Sequence, residues 1–132
     1  MDIPSKADVV IVGGGIAGCS IAYHLTKLGI TDVVLCERRQ LTSGTTWHAA
    51  GLVTQLRATQ RMTELAQYTG ELFGRLEEET GQATGFKQNG SLGLAPSHAR
   101  YVEVARGATM GRNFGLAWEA LCVVKSKERW YA

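Results

Sequence analysis

The stretch that decides the fold is Ala7-Asp8-Val9-Val10-Ile11-Val12, followed directly by Gly13-Gly14-Gly15-Ile16-Ala17-Gly18. Its first part is a β-branched, apolar run without alternation, which is typical of a strand buried on both faces of a parallel sheet. Three glycines interrupt the run. Apolar residues then recur at helical spacing as far as Leu28, and Gly29 stands where a helix end favours a left-handed residue. The stretch predicts a strand, a tight turn and a helix.

A second strand completes the unit. Residues 32–37 read Asp-Val-Val-Leu-Cys-Glu, another apolar run of the buried type. A strand, a helix and a strand within about 30 residues are the components of a βαβ unit, whose crossover is nearly always right-handed. We therefore predict a parallel βαβ unit over residues 7–38.

The glycines follow the pattern G-x-G-x-x-G at Gly13, Gly15 and Gly18. Gly13 permits the turn, Gly15 lets a pyrophosphate approach the backbone, and Gly18 allows the helix to pack closely on the strand. Ile16 and Ala17 open the helix, whose N-terminal N–H groups and dipole favour an anion. The pattern predicts a phosphate site between a strand and a helix.

An acidic residue at the end of the second strand strengthens this interpretation. Glu37 follows Gly18 by 19 residues, at the position where a carboxylate binds the ribose hydroxyls of a dinucleotide. A carboxylate repels a 2′-phosphate and so disfavours NADP. Arg38 and Arg39 could instead attract a 2′-phosphate, or they could flank an adenine. These residues leave both NAD and FAD open.

The next loop distinguishes FAD from NAD, because its sequence resembles that of a known family. Residues 41–52 read Leu-Thr-Ser-Gly-Thr-Thr-Trp-His-Ala-Ala-Gly-Leu. This loop resembles the flavin-contacting loop of the sarcosine dehydrogenase and dimethylglycine dehydrogenase branch of the glycine-oxidase-like (DAO-type) FAD-dependent oxidoreductases. Further similar segments lie at 55–57, 76–81, 85–92 and 127–130, so the resemblance covers essentially the whole chain. It favours FAD as the cofactor.

The resemblance implies an activity. Members of the branch oxidise the C–N bond of an N-methyl amine such as sarcosine or dimethylglycine and transfer a hydride to FAD. The product is formaldehyde, or a one-carbon unit that tetrahydrofolate captures. Use of tetrahydrofolate is expected only in a longer parent protein. In several members the histidine of the Trp-His-Ala-Ala-Gly segment is bonded covalently to the flavin 8α-methyl carbon, and the matching position here is His48.

The same resemblance and the glycine pattern together give a set of candidate cofactor-binding residues. Backbone N–H groups and hydroxyls of the loop are expected to contact the pyrophosphate and the flavin ring. The set comprises Gly13, Gly15, Ile16, Ala17, Gly18, Glu37, Arg38, Ser43, Gly44, Thr45, Thr46, His48 and Gly51. No catalytic base and no metal-ligand cluster is predicted.

The remaining residues, 59–132, predict helices and a hairpin, and the resemblance implies that these lead toward a substrate-binding sheet. We expect a helix over 59–80 ended by Gly81, a hairpin over 86–95 around Asn89-Gly90, and a helix from a Ser97 cap to Asn113. A strand over 116–124 and a helical turn over 126–130 should follow.

The predicted fold class is α/β, the N-terminal part of a Rossmann-like FAD/NAD(P)-binding domain, incomplete because two parallel strands do not close a doubly wound sheet. We therefore expect the 132 residues to form one portion of a larger oxidoreductase domain and not to turn over substrate alone.

Composition narrows the remaining classes. A net charge of +2 without a basic stripe argues against nucleic-acid binding. The sequence contains no run of about 18 apolar residues, so no transmembrane helix is predicted. Three scattered cysteines fit a reducing compartment, the cytoplasm or, in a eukaryote, the mitochondrial matrix.

Three other interpretations stay open. The first is an NAD-dependent dehydrogenase, for which His48 would be incidental. The second is a non-catalytic relative such as the regulatory subunit of pyruvate dehydrogenase phosphatase, whose departure from Trp-His-Ala-Ala-Gly contrasts with Trp47 and His48 here. The third is a chain without an autonomous fold. The amine, the electron acceptor and the oligomeric state are left undetermined.

Overall fold

A computed structural model describes residues 4–119, and the chain divides into two compact units, residues 1–52 and 53–132. The first unit contains β1 (Val9–Val12), α1 (Ile16–Lys27) and β2 (Val33–Cys36), followed by a short 3-10 helix at Thr45–His48. The second contains α2 (Gln60–Thr80) and α3 (His98–Asn113). The predicted α/β class is confirmed.

The two strands form a parallel pair. Their register runs from Val9 opposite Val33 to Val12 opposite Cys36, and α1 packs against both strands. Ile11 is buried in this unit, as expected for the centre of an apolar strand. Two parallel strands joined by a helix are the βαβ unit that the sequence predicts.

Gly29 ends α1 in the manner expected for a helix C-terminus. Its φ is +86°, and the Ile30 N–H donates to the Leu25 carbonyl (3.0 Å) while the Gly29 N–H donates to the Thr26 carbonyl (3.0 Å). This pair of hydrogen bonds forms a Schellman motif, which satisfies carbonyls that the last helical turn leaves free. The chain therefore reverses toward β2 at a position set by a single glycine.

Side-chain caps begin both helices of the second unit. The Thr59 hydroxyl accepts from the Met62 N–H at the start of α2, and the Ser97 hydroxyl accepts from the Arg100 N–H at the start of α3. Gly81 ends α2 with a φ of +72°, as predicted. None of the helices within residues 4–119 is both long and apolar enough to cross a membrane.

The predicted hairpin over residues 86–95 is wrong. No strand forms anywhere in that segment, all of which the structure describes, although Gly90 has the positive φ (+79°) that an Asn-Gly turn requires. An isolated two-stranded hairpin is only marginally stable in water without a surface to pack on, so a turn signal alone does not create strands. The Phe86 ring instead lies against Phe73 of α2, with 5.8 Å between ring centroids.

The predicted strand over 116–124 is not observed in its described part. Residues 116–119 have no strand conformation, and the Trp118 ring lies so close to Gly111 that a Cβ there would be 2.8 Å from the indole. The rest of that strand and the helical turn over 126–130 lie outside the described residues.

Candidate functional site

The glycine turn (Gly13, Gly14 and Gly15) connects β1 to α1. Gly13 has a φ of +106°, a conformation that L side chains rarely adopt, and its N–H donates to the Cys36 carbonyl at 2.8 Å. In the first turn of α1, a Cβ on Gly18 would overlap the carbonyl oxygen of Gly13. The glycines at these two positions let the helix begin in contact with the strand end.

Gly14 has a structural role that the sequence pattern does not reveal, because the motif allows any residue there. A Cβ on Gly14 would lie 2.5 Å from Leu41 Cδ2 and 3.0 Å from the Cβ of Glu37. Its N–H and carbonyl are also both used in contacts outside the turn. Gly14 is thus the point at which the turn, the end of β2 and the following loop converge.

The N-terminus of α1 presents backbone donors. Gly15 caps the helix without a side-chain hydrogen bond, and the Ile16 N–H donates to the Thr46 hydroxyl oxygen at 2.9 Å. Within the described part of the chain, no acceptor contacts the N–H groups of Gly15, Ala17 or Gly18. Three free N–H groups at the positive end of a helix dipole are suited to a phosphate.

Glu37 lies directly after β2 and is oriented by the backbone. Its Oε2 accepts from the Gly14 N–H at 2.7 Å and its Oε1 from the Arg39 N–H at 2.9 Å. The bond from Gly14, then the bond from Arg39, with smaller effects from the Arg38 N–H and charge, lower the pKa of this carboxyl; partial desolvation opposes them. The carboxylate is therefore charged at neutral pH and its remaining lone pairs can accept from ribose hydroxyls.

The 41–52 loop is held against the glycine turn at its first residues. The Thr42 N–H donates to the Gly14 carbonyl at 2.8 Å, and Thr42 adopts a φ of +65°. A β-branched residue is uncommon in that region and costs of order 1–2 kcal/mol, so surrounding contacts must maintain it. Sequence reasoning gave no signal for this strained residue.

The 3-10 helix places the candidate attachment residue. The His48 imidazole is exposed, and its Nδ1 lies 3.1 Å from the Gly44 carbonyl oxygen. Because a carbonyl oxygen only accepts, Nδ1 is the donor in this hydrogen bond, and in the neutral tautomer that makes it Nε2 has the lone pair. The Trp47 ring stands edge-on beside it, with 6.2 Å between centroids.

The other predicted residues of the loop lie in the same unit. Ser43, Gly44 and Thr45 are exposed, whereas Thr46 is half-buried because its hydroxyl reaches α1. Gly51 is exposed with a φ of +76°. The structure therefore brings Glu37 and Thr46 to the glycine turn but leaves most of the loop facing solvent.

This arrangement fits the end of a dinucleotide. Free N–H donors face a diphosphate position, a fixed carboxylate stands at the carboxyl end of the adjacent strand, and the loop adds hydroxyls and an imidazole. Ligands of open α/β sheets bind at the carboxyl ends of the strands, which is where these groups lie.

Comparison with known proteins decides among dinucleotide-binding families. The model of the FAD dependent oxidoreductase (DAO) family matches residues 8–129. The chain belongs to this family. The resemblance of the 41–52 loop and the flanking segments to FAD-dependent oxidoreductases is thereby confirmed.

Curated members of the family resemble the chain closely over a small part of their length. Mouse sarcosine dehydrogenase, a mitochondrial protein, is 46% identical over 95% of this chain. The 4-methylaminobutanoate oxidase (formaldehyde-forming) of Paenarthrobacter nicotinovorans is 42% identical over 97%, and mouse dimethylglycine dehydrogenase 49% over 74%. The chain spans 14%, 16% and 11% of these relatives, respectively.

A solved structure shares the fold. The L-proline dehydrogenase of P. horikoshii superposes with a TM-score of 0.84 at 28% identity, covering 96% of this chain and 33% of that one. One relative is named for a different role: the mouse pyruvate dehydrogenase phosphatase regulatory subunit is 41% identical over 79% of this chain and 12% of its own length.

Proposed function

We propose that this chain binds FAD for the oxidation of the C–N bond of an N-methyl amine such as sarcosine or dimethylglycine. Relatives that are 46% and 49% identical in sequence are named for such amines, and the free N–H donors of α1 are suited to the FAD diphosphate. The proposal specifies the class of amine. It names neither an electron acceptor nor a role for tetrahydrofolate.

The adenosine diphosphate end is assigned to the glycine turn and Glu37. The N–H groups of Gly15, Ala17 and Gly18 would donate to the diphosphate, and the Glu37 carboxylate would accept from the ribose. Both of its oxygens are already fixed by backbone donors, so little orientational freedom is lost on binding.

The covalent attachment is assigned to His48, on the observation that Nδ1 faces the Gly44 carbonyl. In the neutral tautomer that makes this hydrogen bond, Nε2 would be the nucleophilic nitrogen, and exposure of the ring would leave Nε2 accessible. We therefore propose that Nε2 would hold the flavin through a bond to its 8α-methyl carbon. One methyl C–H bond would break with loss of a proton, its electron pair would reduce the flavin ring, and dioxygen would reoxidise the ring.

When bound, FAD would accept a hydride from the N-methyl carbon, and water would hydrolyse the resulting iminium to formaldehyde and the demethylated amine. This chain contributes binding, orientation and the attachment nitrogen. Trp47, which is 74% exposed, would provide an apolar surface beside His48.

Acid precipitation after incubation with FAD tests the proposal. The full chain should give a yellow pellet that keeps its flavin through washing, and His48→Ala should give a colourless one because the nucleophile is missing. His98→Ala is the matched control, since His98 is an exposed histidine at the start of α3. It should remain yellow.

Two other results would overturn parts of the proposal. A colourless wild-type pellet with FAD bound reversibly before acidification would remove the covalent bond and keep the cofactor. Binding of NAD without binding of FAD would identify an NAD-dependent protein instead.

A further inference from the structure

The Thr46 hydroxyl connects two segments that lie 30 residues apart. Its Oγ1 accepts from the Ile16 N–H at 2.9 Å and lies 3.2 Å from where a Cβ on Gly15 would be. It thus occupies one of the four donor positions that a helix N-terminus leaves free. Among the residues of the 3-10 helix, Thr46 is the one that is not fully exposed.

The contact fixes more than one residue. Ala49 donates from its N–H to the Thr46 carbonyl at 3.2 Å, and His48 bonds to Gly44 across the same turn. Thr46 is therefore at the centre of a short closed turn that carries the imidazole. On the other side, Thr42 is bonded to Gly14, so the 41–52 loop contacts the glycine turn and α1 at two hydrogen bonds four residues apart.

We infer that Thr46 is a positioning residue whose hydroxyl holds the 41–52 loop against α1 and so determines where the His48 imidazole stands. The inference rests on the proposed function and deepens it, because it concerns how the residue proposed to bond the flavin is positioned relative to α1. The hydroxyl proton of Thr46 remains available for donation, so the same group can accept from Ile16 and donate to a phosphate oxygen.

The strained backbone of Thr42 agrees with this role. A φ of +65° at a β-branched residue persists only where neighbouring contacts enforce it. If the Thr46 contact is lost, one of the two hydrogen bonds that hold this loop segment disappears. The Thr42 amide should then exchange with solvent more often, although it lies four residues from the substitution.

Amide hydrogen exchange by NMR on the full chain without cofactor tests the anchor. Thr46→Val keeps the shape and removes the acceptor, so exchange of the Ile16 and Thr42 amides should rise roughly five- to tenfold, the effect of losing about one net hydrogen bond. Thr46→Ser should restore slow exchange. Thr26→Val is the matched control, because Thr26 is exposed in the same unit and its hydroxyl donates to the Tyr23 carbonyl of its own helix.

Unchanged exchange of the Thr42 amide in Thr46→Val would overturn the anchor. A second measurement, the rate at which acid-stable flavin forms with added FAD, tests the effect on His48. The rate should fall at least fivefold in Thr46→Val and recover in Thr46→Ser, whereas equal rates would overturn the positioning of His48. If wild type forms no acid-stable flavin, the proposed covalent bond fails, and the exchange data still decide whether Thr46 anchors the loop.

Discussion

Gly18 shows how a single hydrogen atom in place of a side chain sets the start of α1. A Cβ there would overlap the Gly13 carbonyl oxygen, and backbone atoms cannot yield as a flexible side chain does. The close approach of helix and strand therefore depends on this residue and not on the helix propensity of its neighbours.

Gly18→Ala should lower the free energy of unfolding by about 1–3 kcal/mol, the range for overpacking a close contact. Urea denaturation followed by circular dichroism measures it. Gly74→Ala is the control: it lies in α2, a Cβ there meets nothing within 4 Å, and it should raise stability by about 0.5–1 kcal/mol. Equal stability of Gly18→Ala and wild type would contradict the packing argument.

Glu37 makes part of the fold sensitive to acid. Its folded pKa is lowered from 4.5 by the Gly14 and Arg39 N–H groups, so its contribution to stability is full above 4.5. That contribution is lost as the pH falls through the still lower folded pKa, because protonation weakens both hydrogen bonds.

We expect Glu37→Gln to have a lower urea midpoint than wild type at pH 7, with the difference closing as the pH falls below 4.5. Glu71→Gln, an exposed carboxylate on α2, reports the general effect of removing one negative charge. A difference between Glu37→Gln and wild type that persists unchanged at pH 3 would show that the charge of Glu37 does not matter.

At the scale of elements, α2 fastens the segment that precedes it through a buried hydroxyl. Thr63 is fully buried; its Oγ1 accepts from the Arg57 N–H at 3.1 Å and donates to the Thr59 carbonyl at 3.0 Å. The segment leading into α2 has no regular structure, so this hydroxyl replaces the hydrogen bonds that a strand or helix would supply.

Thr63→Val should destabilise the second unit by about 1–3 kcal/mol, since it leaves the Arg57 N–H without its partner at nearly unchanged volume. Thermal unfolding should show a lower midpoint. Thr69→Val is matched to it, because Thr69 is half-buried on the same helix and its hydroxyl donates to the Leu65 carbonyl of that helix. Equal unfolding midpoints for the two variants would contradict a stabilising role of the buried Thr63 hydroxyl.

At the scale of the whole molecule, large apolar side chains stay at the surface of both units. Val12 is 87% exposed in the first unit and Leu94 is 73% exposed in the second, whereas the buried hydrophobic residues in the described range are Ile11, Ala108 and Leu116. Apolar surface left in water forgoes about 25 cal/mol per Å², so this chain gains little stability from burial.

The chain should bind the dye ANS under native conditions and increase its fluorescence. Val12→Thr should reduce that signal without lowering the urea midpoint, because the side chain is exposed in β1 and threonine has similar strand propensity. Absence of any ANS signal from the native chain would show that these side chains are covered in solution.

The amino-acid sequence by itself determined the local elements of this protein. The apolar runs of β1 and β2, the stop at Gly29 and the caps at Thr59 and Ser97 all act within a few residues, so their patterns are visible without coordinates. Such local patterns do not determine which segments pair. Asn89-Gly90 permits a turn, but strands form only where partners exist, and the predicted hairpin is absent.

The tertiary structure decided what joins these elements. The bond from Gly14 to Glu37 spans 23 residues and that from Ile16 to Thr46 spans 30. The spacing of Glu37 from the glycines predicted a ribose ligand but not its bond to Gly14, and no sequence pattern predicted the bond to Thr46. The glycine pattern showed where a diphosphate would bind. Only the folded chain shows that the carboxylate and the hydroxyl are held to that turn, because hydrogen-bond partners distant in sequence are chosen by packing in space.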